Sequence, residues 1–460
     1  MADTKISALP SGAPAQAGDE YVVARGSANY KLTLTNIAAS MAPIGATTPN
    51  SGAFTTLSAS GAASFADGTS SAPAITNTGD TDTGMYFPAA NEVAVAAGGS
   101  VAAAFNSNGV FFRNRIINGD MRIDQRNAGA AVTASGVYGV DRWQSAFTTS
   151  GAISMQQDSS VPSNAGFINS TKITITTADA SIAASDLLQF QQWIEGNNIA
   201  DLGFGTSGAK TVTVSFWVRA SVTGTYAVII GNSNAGTSAP NRTYVSTYTI
   251  NSADTWEYKT VTVPGDTGGT WQTGSLRGML VRFGLTAGTD YQQAAGSWGT
   301  ISAAGTSSTV QLLSTLNATW YVTGVQLETG SVATPFERRP FGTELMLCQR
   351  YYYKIKATST AYAYFGIGYN ESSTTAVIQT FFPVPMRTEP TALEQSGTAA
   401  QYQIVPFGGT CSAVPSLFTN ATVWQATTLA TVASGLTQGY ASGFRALNNT
   451  NAFLAWSAEL

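Results

Sequence analysis

The chain has 460 residues, 43% of them hydrophobic but only 10% charged, and a net charge of −4. It contains no histidine, which excludes Ser-His-Asp and Cys-His catalysis and His-ligated metal sites. It also has no basic run, so the electrostatic footprint of nucleic-acid binding is missing.

Gly, β-branched and aromatic residues are plentiful while Lys and Glu are scarce, so a predominantly β chain of about three domains is expected. Met1-Ala-Asp-Thr-Lys5 lacks a basic-then-apolar leader, and no run of 18 apolar residues occurs. Synthesis in a cytoplasm is therefore expected. Residues 1–42 read as a small unit. Tyr21-Val-Val-Ala24, a turn at Arg25–Asn29, and Tyr30-Lys-Leu-Thr-Leu34 predict strand, turn, strand. Thr35 is a candidate cap for a short helix over Asn36–Met41. A unit this small is expected to dock on something rather than fold alone.

From Pro43 to Phe112 there is no Lys or Arg, and the only acids are Asp67, Asp80, Asp82 and Glu92. Large apolar residues are few and isolated, too few to offset the entropy of ordering a compact monomeric domain. Yet Glu92-Val-Ala-Val-Ala96 and Ser100-Val-Ala-Ala-Ala-Phe105 alternate like strands, with Gly98-Gly99 and Asn108-Gly109 as turns. An intertwined β shaft over 43–115, whose core comes from neighbouring copies, is preferred over a disordered linker.

Arg113, Arg115, Asp120, Arg122, Asp124 and Arg126 then fall close together, predicting a partly exposed charge network of modest worth at a domain entrance. Residues 116–342 read as an antiparallel sandwich. Val212, Val214, Phe216 and Val218 share one strand face, Trp256 to Val263 ends at Pro264-Gly265, and Leu276–Leu285 and Thr319–Glu328 alternate similarly. Leu187–Glu195 fits strand or short helix, with strand preferred. In residues 343–460, Thr343 is a candidate cap for a helix over Glu344–Gln349. Strands are expected at Thr375–Phe382, Gln401–Val405, Thr422–Gln425 and Asn451–Ala455, giving a second β-sandwich. Cys348 and Cys411, the only cysteines, read as buried free thiols.

Several of these segments have a family look. Arg115-Ile-Ile-Asn-Gly-Asp-Met-Arg-Ile-Asp-Gln-Arg126 and Tyr138-Gly-Val-Asp-Arg-Trp-Gln144 resemble the opening of a module found in bacteriophage tail fibres. So do Val212–Ala220 followed by Asp254-Thr-Trp-Glu257, then Thr323–Gly330, Pro335-Phe-Glu-Arg-Arg-Pro340 and Leu347-Cys-Gln-Arg-Tyr-Tyr352. The module is similar to a carbohydrate-binding jelly roll, and the match covers about half the chain. Residues 1–42 resemble the attachment end of such fibres, and Asn77–Phe87 their shaft pieces. The resemblance implies a homotrimer within the virion, joined to phage tail or baseplate proteins by its N-terminus. It further implies adhesion to host surface polysaccharide or lipopolysaccharide through the C-terminal β domains, with the receptor-binding tip at 343–460. No nucleic-acid partner, membrane insertion or cofactor is expected.

Sugar recognition needs aromatic faces for stacking and polar groups that read hydroxyls. Trp256, Trp271, Tyr291 and Trp298 lie near expected loops of the first sandwich, and Tyr362, Tyr369, Trp424, Tyr440 and Trp456 belong to the tip. Of these, Trp424, Tyr440, Tyr369, Trp271 and Trp298 are the candidate ligand-binding residues. Trp143 and Trp217 sit inside strand motifs and are assigned to the core, although Trp217 falls on the face opposite Val214 and Phe216. Asp120, Asp141 and Glu328 are candidate Ca²⁺ ligands, but pairing with Arg122, Arg126 or Arg142 is preferred. Hydrolysis needs two carboxylates across a groove. Asp266, Asp290 and Glu394 are available, yet nothing in the sequence selects them, and no catalytic residue is assigned. The alternatives to an adhesive fibre are a capsule or lipopolysaccharide depolymerase and a purely structural spacer.

Overall fold

A computed structural model describes residues 20–25, 28–33, 60–105, 113–233, 235–358, 362–406, 408–418 and 421–460. The chain divides into two units at Phe65/Ala66. In the first, β1 (Glu20–Arg25) and β2 (Ala28–Thr33) form the expected antiparallel hairpin, with Val23 opposite Tyr30. The helix expected over Asn36–Met41 and the turn at Asn108-Gly109 lie outside the described residues.

The second unit begins with short strands: β3 (Gly68–Thr69), β4 (Ala72–Pro73), β5 (Ile75–Asn77), β6 (Asp80–Tyr86), β7 (Val93–Ala97) and β8 (Ser100–Phe105). β5 to β8 form one antiparallel meander. Gly98 and Gly99 take φ of 56° and 72°, the left-handed pair that a tight two-residue hairpin requires. Among the described residues the buried apolar cluster here is only Tyr86, Ala94 and Ala96, while Ile75, Met85 and Phe105 stay exposed. The apolar supply within one chain is as thin as the composition implied.

The jelly-roll-like sandwich follows: β9 (Tyr138–Val140), β10 (Trp143–Thr148), β11 (Ala152–Asp158), β12 (Ser170–Thr177), β13 (Leu187–Glu195), β14 (Val212–Ala220), β15 (Gly224–Asn232), β16 (Thr243–Ile250), β17 (Glu257–Val263), β18 (Arg277–Ala287), β19 (Trp298–Gly299) and β20 (Thr319–Thr329). They make a seven-stranded sheet, β19-β16-β15-β18-β13-β10-β9, and a five-stranded sheet, β11-β12-β20-β14-β17, both antiparallel. The alternating residues Val214, Phe216, Val218, Val261 and Val263 face inward, as their spacing predicts. Trp143 lies in the core, stacked 4.8 Å from Phe190 with Phe283 and Trp320 close by.

A helix α1 (Phe341–Gln349) leads to the last strands: β21 (Tyr352–Lys356), β22 (Tyr364–Asn370), β23 (Thr375–Phe381), β24 (Glu394–Gln395), β25 (Tyr402–Val405), β26 (Gly409–Thr410), β27 (Ser416–Leu417), β28 (Gln425–Thr431), β29 (Ala441–Ala446) and β30 (Phe453–Ser457). They form a three-stranded sheet, β21-β30-β24, and a seven-stranded one, β26-β25-β29-β22-β23-β28-β27, around Phe365, Ile378, Tyr402, Phe444 and Trp456. The fold is all-β. Cys348 and Cys411 are free and buried. Two local expectations are corrected. α1 begins at Phe341 after the extended Pro340, two residues before Thr343, and no side chain caps it. Thr422–Gln425 is a turn closed by Thr422 N donating to Gln425 O at 2.8 Å, and the strand starts only at Gln425.

A third apolar cluster joins the two sandwiches, with Trp193 and Leu280 of the first meeting Cys348, Tyr351 and Leu460. Charges surround it. Arg126 and Arg142 both pair with Glu459, and Arg350 grips Glu195 through two hydrogen bonds of 2.7 and 2.9 Å. Arg126 and Arg142 lie 3.6 Å over the Tyr352 and Tyr351 rings. The charges after Arg113 thus correct the expectation of a loosely exposed network. Arg115 pairs with Asp201 and Arg122 with Asp120 near the surface, but Arg126 is drawn into a buried hub.

Candidate functional site

Parity along β14 places Ser215, Trp217 and Arg219 on the outer face of the five-stranded sheet, opposite the core residues Val214, Phe216 and Val218. In β17 the same parity turns out Tyr258 and Thr260, and the register sets Trp217 directly opposite Tyr258 and Ser215 opposite Thr260. The Trp217 and Tyr258 ring centroids are 5.4 Å apart, tilted by 49°. These four residues floor a groove of about 600 Å³. Trp217, assigned to the core from its strand motif, is instead half-buried on this floor.

One wall is the loop from Val332 to Arg338. Phe336 meets Phe167 edge-on at 5.2 Å, and the Arg338 guanidinium lies 4.6 Å over Phe167. Arg338 is fixed there by donating to the carbonyls of Ala165 and Gly166 at 2.5 and 2.7 Å. The other wall is Ser100 and Val101 of β8. The Glu92 carboxylate holds that meander to the loop, accepting from Ser331 N at 3.1 Å and Ser331 Oγ at 2.7 Å. Burial pushes the Tyr258 phenol upward, opposed by a hydrogen bond from Ser215 and reinforced by Glu328. The phenol is therefore neutral and able to donate. Flat rings with hydroxyls of Ser100, Ser215, Thr260 and Tyr258 around them suit the C–H faces and hydroxyls of a sugar chain.

The five candidate residues occupy different places. Trp271 is 7% exposed in the core, with Phe204 at 4.7 Å, Trp298 at 5.7 Å and its Nε1 donating to Asp266 at 3.2 Å. Its ring has no open face. Trp298 is half-buried beside it and donates to Pro264 O at 3.0 Å. On the tip, Tyr369, Tyr440 and Trp424 are all exposed. Tyr369 pairs with Ala441, which brings it beside Tyr440 at one end of the seven-stranded tip sheet. Trp424 borders Phe381 and Phe382 at the other end of β23. At about 3.3 Å per residue those ends are roughly 15 Å apart, so the three do not form one platform. Between them the outer face carries Tyr364, Ile367 (72% exposed) and Phe381 (65% exposed) above two shallow hollows of about 420 and 450 Å³.

Of the other aromatics, Trp456 is buried in the tip core, Tyr291 is half-buried, and Trp256 meets Tyr321 edge-on at 6.1 Å. The candidate Ca²⁺ ligands are engaged separately. Asp120 pairs with Arg122, Asp141 accepts from Gln125 at 2.5 and 3.0 Å, and Glu328 accepts from Thr334 at 2.6 and 2.8 Å. Among the described residues no group of three metal-ligating side chains converges. Asp266 is locked by Arg242 at 2.5 and 2.6 Å, and Glu394 accepts from the Tyr352 hydroxyl.

No protein-family model matches the chain, and no curated protein matches it. Several solved structures resemble part of it. The enzymatically active domain of tailspike protein 4 from bacteriophage CBA120 is 14% identical, over 47% of this chain and 21% of that one, with a TM-score of 0.27. A family 4 carbohydrate-binding module is 18% identical, over 46% of this chain and 98% of its own, with a TM-score of 0.23. A family 11 carbohydrate-binding module of a Clostridium thermocellum cellulosomal cellulase is 13% identical, over 45% and 99%, with a TM-score of 0.24. The chain thus spans about a fifth of the tailspike domain. Overlap this partial carries no inference about what the chain binds.

Proposed function

We propose that the chain is a bacteriophage tail fibre subunit, homotrimeric in the virion, that adheres to a host surface polysaccharide or lipopolysaccharide without cleaving it. Its N-terminal unit joins the phage tail or baseplate, and residues 60–105 belong to a shaft completed by neighbouring copies. The ordered motifs from Arg115 to Tyr352 support the family reading. One structural observation carries the adhesive role: the Trp217–Tyr258 pair on the floor of an open, hydroxyl-lined groove. Linked copies multiply weak sites, so each groove needs only modest affinity.

The test is binding of purified full-length chain to host polysaccharide, with products checked for new reducing ends. Trp217→Ala is expected to weaken binding by about tenfold or more, the loss of roughly 1.5–3 kcal/mol of stacked ring area, with the melting temperature little changed. Trp424→Ala and Tyr440→Ala test the tip as the adhesive surface. Loss of binding in these variants, with Trp217→Ala silent, moves the site to the tip. Release of reducing ends revives the depolymerase alternative.

A further inference from the structure

We infer that the groove selects an acidic sugar, its carboxylate seated on Arg338; the inference rests on the adhesive reading of the same groove. Among the described residues Arg338 is the only charged side chain lining the groove. Its guanidinium is held flat by two rings and two carbonyls, so it is pre-organised. Two of its five N–H groups are used by those carbonyls, which leaves donors for a ligand. No carboxylate lies within ion-pair distance of it among the described residues. Arg115, Arg122, Arg219 and Arg339 each have an acidic partner, whereas Arg277, Arg282, Arg387 and Arg445 are, like Arg338, held by carbonyl or amide oxygens; of these only Arg338 lines the groove among the described residues. In a chain of net charge −4, an unpaired cation set beside an aromatic floor is a local reversal of sign.

The reversal continues along the same sheet face. Two residues beyond Trp217, Arg219 lies 5.1 Å over the Tyr321 ring, and Lys172 lies 5.6 Å from the same ring. Lys172 likewise has no carboxylate partner among the described residues. The nearby acid, Asp254, is tied to Arg219 at 3.3 Å. Beyond the Trp217–Tyr258 floor the same face thus carries further positive charge over the buried Tyr321 ring, Lys172 unpaired and Arg219 shared with Asp254, which suits a polymer that carries anionic groups along its length. Arginine's planar fork matches a carboxylate in particular. The class is a hexuronate-type or other carboxylate-bearing glycan, in preference to a neutral one.

The experiment titrates full-length chain with a panel of uronate-containing polysaccharides, with the same polymers after chemical reduction of their carboxyl groups to alcohols, and with a phosphate-bearing glycan. At least one acidic polymer is expected to bind about tenfold more tightly than its reduced form, the worth of one charge-assisted hydrogen bond. Arg338→Gln is expected to abolish that preference, so that native and reduced polymers bind alike. Lys172→Gln, at a site with no carbonyl partner, serves as the second variant if Arg338→Gln fails to fold. The native-versus-reduced comparison needs no variant. Equal binding of native and reduced polymers, lost in Trp217→Ala, overturns the acidic preference and leaves the adhesive reading standing. Preference for the phosphate-bearing glycan alone also overturns it. Binding of no polymer, or indifference to Trp217→Ala, sinks both.

Discussion

Glu459→Gln is the sharpest test of how the two sandwiches are held together. The Glu459 side chain is 8% exposed and its partner Arg142 only 1%. Arg126 approaches the other carboxylate oxygen at 3.1 Å. Arg142 sits at a left-handed backbone position (φ 71°), donates to Trp193 O at 2.5 Å and stacks on Tyr351. Neutralising Glu459 leaves this buried guanidinium with one carbonyl and one ring. Removing one partner of a buried pair costs about 3–5 kcal/mol; a glutamine still accepts one hydrogen bond, so the lower end is expected, about 3 kcal/mol. That is a large share of the 5–15 kcal/mol typical of a folded domain. The loss is read by denaturant unfolding at low and high salt, and should be nearly salt-independent because the pair is shielded from ions. The double variant Arg142→Met/Glu459→Leu should recover much of it. A loss below about 1 kcal/mol, or strictly additive single variants, would refute a coupled buried hub.

Three further outcomes follow from the same geometry. Burial raises the Asp141 carboxyl to about 7, with the hydrogen bond from Gln125 opposing. Its unfolded value is about 3.9, so the stability it contributes is present below about pH 4 and lost as pH rises through about 7. Asp141→Asn should therefore gain on wild type in denaturant midpoint between pH 4 and pH 8, and parallel profiles would count against this. A fragment of residues 114–342 contains the strands of the first sandwich and should unfold cooperatively on its own. Without the tip it exposes Trp193 and Leu280 and strands Arg142 and Glu195, so its calorimetric melting should fall well below that of the full chain. A fragment of residues 60–105, with so small a buried cluster, should show no cooperative melt as a dilute monomer; a sharp transition would remove the need for neighbouring copies.

Strands with one wet face were legible in the sequence. Val212 to Val218 and Val261 to Val263 alternate because the outer sheet face meets solvent or the groove. Leu187–Glu195 was ambiguous for the opposite reason: both faces of β13 are covered, so Gln189, Gln191 and Glu195 are buried beside Leu188, Phe190 and Ile194 and no period survives. The groove was half legible. Trp217 stood on the outer face by parity, but its partner is set by a strand register. Phe336 and Arg338 arrive from more than a hundred residues away, and no local pattern encodes that meeting. The hub was invisible on the same ground, since Glu459 is 333 residues from Arg126. Trp271 is buried and Trp298 half-buried beside it, and an indole near a loop and an indole beneath one look alike in sequence.

The clamp at the sandwich entrance has a mechanical consequence. Asn114 Oδ1 accepts from Leu327 N, its Nδ2 donates to Val325 O, and Arg115 N donates to Leu327 O, all within 2.9–3.1 Å. Val325 and Leu327 belong to β20, the middle strand of the sheet that floors the groove, flanked by β12 and β14. A tug on whatever is seated over Trp217 passes sideways from β14 into β20 and leaves directly through Asn114. That route crosses the β14–β20 ladder, whose register runs from Val212 opposite Thr329 to Ala220 opposite Trp320, instead of a single contact. The tip strands belong to other sheets, so a load entering at Trp217 has a route to Asn114 that does not pass through them.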